Sequence, residues 1–281
     1  MLALPAAILL VVLVLLPLLF VFGLGFTDYR LGSRAWSFTG FANYEALLSD
    51  ARSRNAFLHT AMYVAIVTPA SLGFGLAIAL AIQARKHFRR VYEVIFFLPV
   101  TSTFVAMAIV WQFLLHGRIG PVNQWLEAIG VGRVDFLTDP GIALTALAGI
   151  GTWQLIGQTT ILFLAGLASI PSDIYDAAAL DGMGRGWDRL IRITLPMLAP
   201  TTLFVAITTS ITAFQVFDSV AALTRGGPAG ATDTALYRIY QEAYRYTEMG
   251  AAAAISVVFL AVIALFSLAQ LALTDRRIHY G

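Results

Sequence analysis

The chain has 281 residues, of which 59% are hydrophobic and only 12% charged, with a mean hydropathy of +0.79. A soluble domain carries about 25% charged residues, so a wholly water-facing globule is excluded and lipid must cover part of the surface. The formal net charge of +2 gives no ground for a nucleic-acid partner. The absence of cysteine excludes disulfides, thiolate zinc sites and cysteine nucleophiles.

A helix needs roughly 20 apolar residues to cross the hydrocarbon core, because it rises about 1.5 Å per residue. In chain order such runs lie at 4–26, 57–83, 94–116, 141–168, 197–218 and 250–273. None contains Lys or Arg, and the one acid is Asp218 at the end of the fifth. A charge at mid-bilayer costs at least a few kcal/mol, so the pattern predicts an all-α polytopic protein with six transmembrane helices. The first run has no basic residue before Arg30 and is too long for the apolar core of a signal peptide. It reads as a retained span.

The short second loop carries Arg85, Lys86, Arg89 and Arg90, and the tail carries Arg276 and Arg277. Basic density beside the membrane marks the cytoplasmic side, which predicts that both termini are cytoplasmic. The fourth loop, 169–196, then faces the cytoplasm, and the longer loops 27–56, 117–140 and 219–249 face outward. Their Trp36 and Trp125 suit either an aromatic belt at the headgroups or a docking surface. The expected organisation is a first helix with its external loop over 1–56, a five-helix core over 57–273, and a tail over 274–281.

The fourth loop is the informative one. Pro171 ends the fourth span, Ser172 is a candidate N-cap, and Asp173 and Asp176 lie where the helix dipole favours carboxylates. Ala177 to Ala179 combine helix propensity with little bulk, and Gly182 suits the left-handed residue that closes a helix. A second short amphipathic stretch, Trp187 to Ile193, precedes Leu195-Pro196. Two or three turns are not stable alone in water, so this helix packs on something. Two readings stay open: a knob for a cleft on a soluble partner, or a helix lying on lipid headgroups.

Asp176-Ala177-Ala178, then Asp181-Gly182, then Ile193-Thr194-Leu195-Pro196 resembles the EAA loop of binding-protein-dependent ABC importer permeases. The nearer likeness is to the sugar-importer subfamily related to maltose and glycerol-phosphate permeases. Further matches run along almost the whole chain: Gly120-Pro121-Val122-Asn123, Phe136 to Pro140, Leu164 to Leu167, Phe214 to Asp218, Leu223 to Pro228 and Met249 to Ala252. Asp176 stands where the family usually has Glu, Arg225 replaces a common glycine, and the stretch from Gly182 to Ile193 is one residue longer than usual.

The resemblance implies a type I permease fold whose cytoplasmic coupling helix docks on an ATPase. It implies a second permease subunit in a heterodimer, two cytoplasmic ATPase subunits, an external solute-binding protein, and a bacterial inner membrane. ATP and Mg then belong to the ATPase subunits. This chain, which lacks a G-x-x-x-x-G-K-[ST] loop, binds no cofactor or metal and is not an enzyme. Asp176, Ala177, Ala178 and Gly182 are expected to dock, and Asp181 to cap or brace the turn. Trp187 and Leu190 are expected to pack the second short helix on the first or on the membrane face.

Polar side chains inside spans face helix neighbours or a cavity. Gln112, Trp153, Gln154, Gln158, Thr209, Gln215 and Asp218 are therefore candidates for the solute path, with interhelical hydrogen bonding as the other reading. The expected solute is a sugar or related small polar molecule. An ion-coupled secondary transporter is the alternative. It would call for two similar halves and mid-membrane ionisable groups, whereas no internal repeat is evident here.

Overall fold

The computed structural model of the chain describes residues 4–84, 89–180, 182 and 186–275. Among them there are no strands, only isolated bridges pairing Thr27 with Phe38 and Arg30 with Glu248. The fold is all-α, and the chain separates into two compact units. The first comprises Met1–Met62, Leu137–Leu144 and Gln215–Leu265; the second comprises Tyr63–Phe136, Thr145–Phe214 and Phe266–Gly281.

Among the described residues, four continuous helices are long and apolar enough to cross a membrane: Leu4–Leu24, Ala51–Gln83, Ala143–Ala168 and Met249–Leu273. A fifth results if Trp187–Met197 and Ala199–Phe214, bent by 67°, form one span. The expected third span, 94–116, is interrupted: Arg89–Thr101 ends and Phe104–Leu114 begins anew. Pro99 has no N–H to give to the preceding turn. The hydroxyls of Thr101 and Ser102 then donate to the Leu98 carbonyl at 2.9 and 3.1 Å, competing with the helix ladder. The expected fifth span, 197–218, is also corrected. Its helix ends at Phe214, which leaves Asp218 beyond the helix and exposed.

The second helix starts at Ala51, six residues earlier than expected, because Asp50 caps it. The Asp50 carboxylate accepts from the N–H groups of Arg52 and Ser53 at 3.2 and 3.1 Å and from the Ser53 hydroxyl at 2.7 Å. The helix passes through Pro69 without ending. In the first helix, Pro17 is accommodated by a wider turn over Val11–Leu15, where the Leu16 N–H bonds to the Val11 carbonyl five residues back. No residue of that helix from Leu4 to Phe20 is even half-buried, so its apolar surface needs lipid or a partner.

The second unit is built on a cluster of Ala79, Ile82, Phe163, Leu164, Leu167, Ile170, Leu198 and Val205. Small residues bring its helices close. The Thr159 hydroxyl donates to the Ser71 carbonyl at 3.0 Å across two helices, and Gly75 leaves no room for a β-carbon against Thr159. In lipid, helices associate through such close packing and interhelical hydrogen bonds, not hydrophobicity. Gly75→Val is expected to destabilise the protein by about 1–3 kcal/mol, the usual cost of overpacking. Thermal unfolding of the purified protein measures it, and a second change, Thr159→Gly, should recover part of the loss.

In the first unit, Asn43 holds neighbouring backbone segments together. Its side-chain amide donates to the carbonyls of Gly25 and Thr27 at 2.9 and 2.8 Å. Gly250 starts the last helix directly against the Thr27 carbonyl, and its N–H donates to the Tyr29 carbonyl at 2.9 Å. In the second unit, buried Asn123 closes the 116–134 loop: its side chain bonds both ways with the Val134 backbone and also donates to the His116 carbonyl.

Candidate functional site

The fourth-loop helix runs Ser172–Leu180, as the residue pattern predicts. Ser172 lies inside its first turn, and its hydroxyl reaches the Asp173 carboxylate at 3.4 Å; the Ile174 N–H is taken by the Pro171 carbonyl. The expected Ser172 cap is therefore not formed. Gly182 is left-handed, with φ +81°, and its N–H closes back on the Ala179 carbonyl at 3.2 Å. Asp181 lies outside the described residues.

Helical spacing sorts the side chains into two faces. Ile174, Tyr175 and Ala178 turn inward, and Ala178 is only 6% exposed. Asp173, Asp176, Ala177 and Leu180 point out, Leu180 at 89% exposure. The surface open to a partner is thus acidic at its start, small in its middle and apolar at its end. Ala178 belongs to the opposite, inward face.

Tyr175 carries the contacts of that inward face. It packs on the apolar cluster of the second unit, and its hydroxyl lies 3.3 Å from the Thr194 hydroxyl. The Arg189 guanidinium sits over its ring, 4.4 Å from the centroid. Both partners belong to Trp187–Met197, so one side chain ties the loop helix to the segment that leads into Ala199–Phe214. Trp187, expected to pack there, is 75% exposed, and Leu190 is half-buried. Each unit has an open pocket, of about 480 Å³ in the first and about 540 Å³ in the second; the latter is lined by Tyr175, Arg189, Leu190 and Thr194 together with Leu80 and Gln83.

The solute-path candidates are dispersed. In the second unit Trp153 meets Trp111 edge-on at 5.3 Å, Gln154 and Gln158 are half-buried, Gln112 is exposed and Thr209 is buried. Gln215 and Asp218 belong to the first unit, where both are exposed. Neither pocket described here contains any of them.

The first unit holds a polar cluster that the residue pattern did not reveal. Arg238, 8% exposed, pairs with Glu242 at 2.7 Å and with Asp50 at 3.3 Å. Burial pushes the Glu242 carboxyl above the usual carboxylate range despite the adjacent guanidinium. Burial also raises Asp50. The Ser53 hydroxyl, the N–H groups of Arg52 and Ser53, and Arg238 together outweigh it and hold Asp50 below its ordinary value. Asp233 is pushed up by burial, and its Oδ1 has no hydrogen-bond partner. His59 Nδ1 lies 3.0 Å from the Asp233 backbone carbonyl. Arg225, at the glycine position noted above, has φ +54° and ψ +38° and closes the Val220–Thr224 turn. A side chain in that left-handed region costs about 1–2 kcal/mol. Arg238 and Glu242 are one helical turn apart, but Asp50 is distant from both in the chain, and nothing in the residue pattern joins the three.

Four long apolar helices, with a short helix between two membrane-length segments, mark an integral membrane protein. The chain belongs to the family described as binding-protein-dependent transport system inner membrane component, whose model matches residues 71–280. It is 29% identical over 277 residues to a probable ABC transporter permease protein of Brucella suis biovar 1 (strain 1330), covering 98% of this chain and 96% of the relative. It is 30% identical over 246 residues to the sn-glycerol-3-phosphate transport system permease protein UgpA of Agrobacterium fabrum (strain C58), covering 87% and 83%. Among solved structures, a bacterial ABC transporter involved in import of the acidic polysaccharide alginate superposes with a TM-score of 0.83 at 23% identity, covering 97% of this chain and 93% of that one. The expected family and fold class are confirmed. Members of this family are membrane components of their transporters and not catalytic subunits.

Proposed function

We propose that the chain is one permease subunit of an ATP-driven importer that accepts a sugar or related small polar solute from an external binding protein. Six segments cross a bacterial inner membrane with both termini cytoplasmic, the interrupted 94–116 run serving as the third crossing and Ala199–Phe214 as the fifth, while Trp187–Met197 stays at the cytoplasmic surface. A second permease subunit completes the path, and two ATPase subunits hold ATP and Mg. The permease names among the relatives support this reading, and glycerol-phosphate transport by one of them fits the expected solute class.

The observation that carries it is the outward face of Ser172–Leu180, where Asp173, Asp176, Ala177 and Leu180 stand free on a helix anchored from behind. Two to three turns held this way form a rigid peg, and Gly182 ends it without bulk. Closure of the ATPase dimer would displace the peg and bias the path between inward-open and outward-open states. Asp181 braces the turn in this scheme, and Trp187 meets the ATPase or the headgroups.

Asp176→Arg reverses the charge on the exposed face and disturbs no buried contact. Membrane insertion should be unchanged, while co-purification of the ATPase subunits and ATP-dependent uptake into proteoliposomes should both fall about tenfold or more, as for loss of a central interface contact of about 1.4 kcal/mol or greater. Normal assembly and uptake in this variant would overturn the assignment. Uptake abolished by an ionophore but indifferent to ATP would instead favour the ion-coupled transporter.

A further inference from the structure

The loop 225–234 and the start of Ala51–Gln83 enclose an open pocket of about 480 Å³ in the first unit. Binding pockets for small molecules fall between roughly 300 and 1,000 Å³. Its wall is unusually polar: Arg52, His59, Arg225, Asp233, Arg238 and Gln241 all line it. The guanidiniums differ in their pairing. Arg238 is neutralised by Asp50 and Glu242 behind the wall. Arg52 and Arg225 are exposed, and neither guanidinium has an ion-pair partner among the described residues.

The chain holds Arg225 in a left-handed backbone conformation that glycine would adopt without strain. Strain retained at a pocket wall points to a function for the side chain that causes it. Arg238 Nε and Asp233 Oδ1 lie behind the wall, buried without a hydrogen-bond partner, so the groups open to a ligand are the exposed guanidiniums. His59 Nδ1 faces a carbonyl, which only accepts, so this nitrogen carries the proton and Nε2 remains available.

We propose that this pocket binds a hydroxylated anion, a sugar acid or a sugar or polyol phosphate, with its charged group held between Arg52 and Arg225. Guanidinium groups suit both carboxylate and phosphate through paired N–H donors. The local charge is otherwise balanced, Arg52, Arg225 and Arg238 standing against Asp50, Asp233 and Glu242. Selectivity therefore comes from short-range contacts to two guanidiniums, and the hydroxyls of the ligand engage the wall made by Asp233, Arg238 and Gln241. Under the proposed function this pocket lies on the outward face, where a delivered solute would meet it.

Equilibrium binding to the purified complex in nanodiscs tests this without requiring transport, so its failure is distinguishable from failure of the importer reading. The probes are glucuronate, glucose 6-phosphate and glucose. At least one charged probe should bind tenfold or more tightly than glucose: a preference for glucuronate assigns a sugar acid, and a preference for glucose 6-phosphate assigns a phosphate ester. Arg225→Gly fits the local backbone better than the native residue, so it should fold at least as well yet weaken the charged probe tenfold or more. Arg52→Gln should weaken it similarly, and Arg133→Ala, on an exposed pair elsewhere, should not. Equal binding of charged and neutral probes, no binding of any probe, or full affinity in both pocket variants would overturn the proposal.

Discussion

If the chain works as the proposed importer subunit, Tyr175→Ala is expected to leave it inserted and the partner ATPase active while cutting the solute moved per ATP by about tenfold or more. Tyr175 makes three contacts that no other residue of the loop helix duplicates: the apolar cluster behind it, the Thr194 hydroxyl at 3.3 Å, and the Arg189 guanidinium over its ring at 4.4 Å. Truncating a core aromatic costs about 3–5 kcal/mol, and half-burial here reduces that. A partly desolvated cation–π contact adds about 1–2 kcal/mol. Each 1.4 kcal/mol lost lowers the anchoring equilibrium constant tenfold, and several such steps would let the peg swing on its hinge rather than drive the segment after it. Tyr175→Phe removes only the hydroxyl contact, worth about 0.5–1.5 kcal/mol, and should retain most coupling. Arg189→Lys keeps the charge but loses the planar group that lies over the ring, and should fall between the two. The measurement is the ratio of uptake to ATP hydrolysis in proteoliposomes. A full ratio in Tyr175→Ala would show that the loop helix is anchored elsewhere.

The residues differ in how far they disclosed these contacts. Apolar runs without Lys or Arg announced the membrane helices, because burying a charge in hydrocarbon costs so much that the pattern is visible by eye. Gly182 announced the end of the loop helix for a comparable reason, since a left-handed position excludes most side chains. The inward face of that helix was legible in principle: Ile174, Tyr175 and Ala178 follow the three-to-four spacing of a packed stripe. Emphasis on the alanines as a docking surface hid it. The break at Ser102 was not legible, because Pro99 also lies inside a helix, as Pro69 does, and only the Thr101 and Ser102 hydroxyls distinguish the two sites. Asp50, Arg238 and Glu242 were invisible for a third reason. Arg238 and Glu242 share a four-residue helical spacing, but Asp50 lies 188 residues before Arg238, and nothing local connects it to them.

Arg238→Ala is expected to be the most destabilising single change in the first unit, by about 3–5 kcal/mol at neutral pH, because it strands a buried carboxylate. The Arg238 and Glu242 side chains are 10% and 11% exposed. Asp50 is 38% exposed and adds little, since screened pairs contribute about 0–1 kcal/mol. The pH dependence follows from the directions of the shifts. Burial raises Glu242 and Asp233 in the folded protein, so the folded state holds their protons more tightly than the unfolded chain does. Their destabilising effect is fully present above the folded pKa and disappears as pH falls toward the unfolded value of about 4. Asp50 runs the other way: its contribution is present above the unfolded pKa and lost as pH falls through the depressed one. Without Arg238, Glu242 loses the cation that opposes burial, and its carboxyl rises further. The gap in thermal midpoint between native protein and Arg238→Ala should therefore be widest at neutral pH and above, and shrink as pH falls toward the unfolded carboxylate value of about 4, where protonation relieves the stranded carboxylate. Replacing both partners, Arg238→Met with Glu242→Leu, removes the charge problem altogether and should recover most of the loss at every pH. A gap that stays constant from pH 8 down to about pH 4 would assign the cost of Arg238→Ala to lost packing of its stem instead.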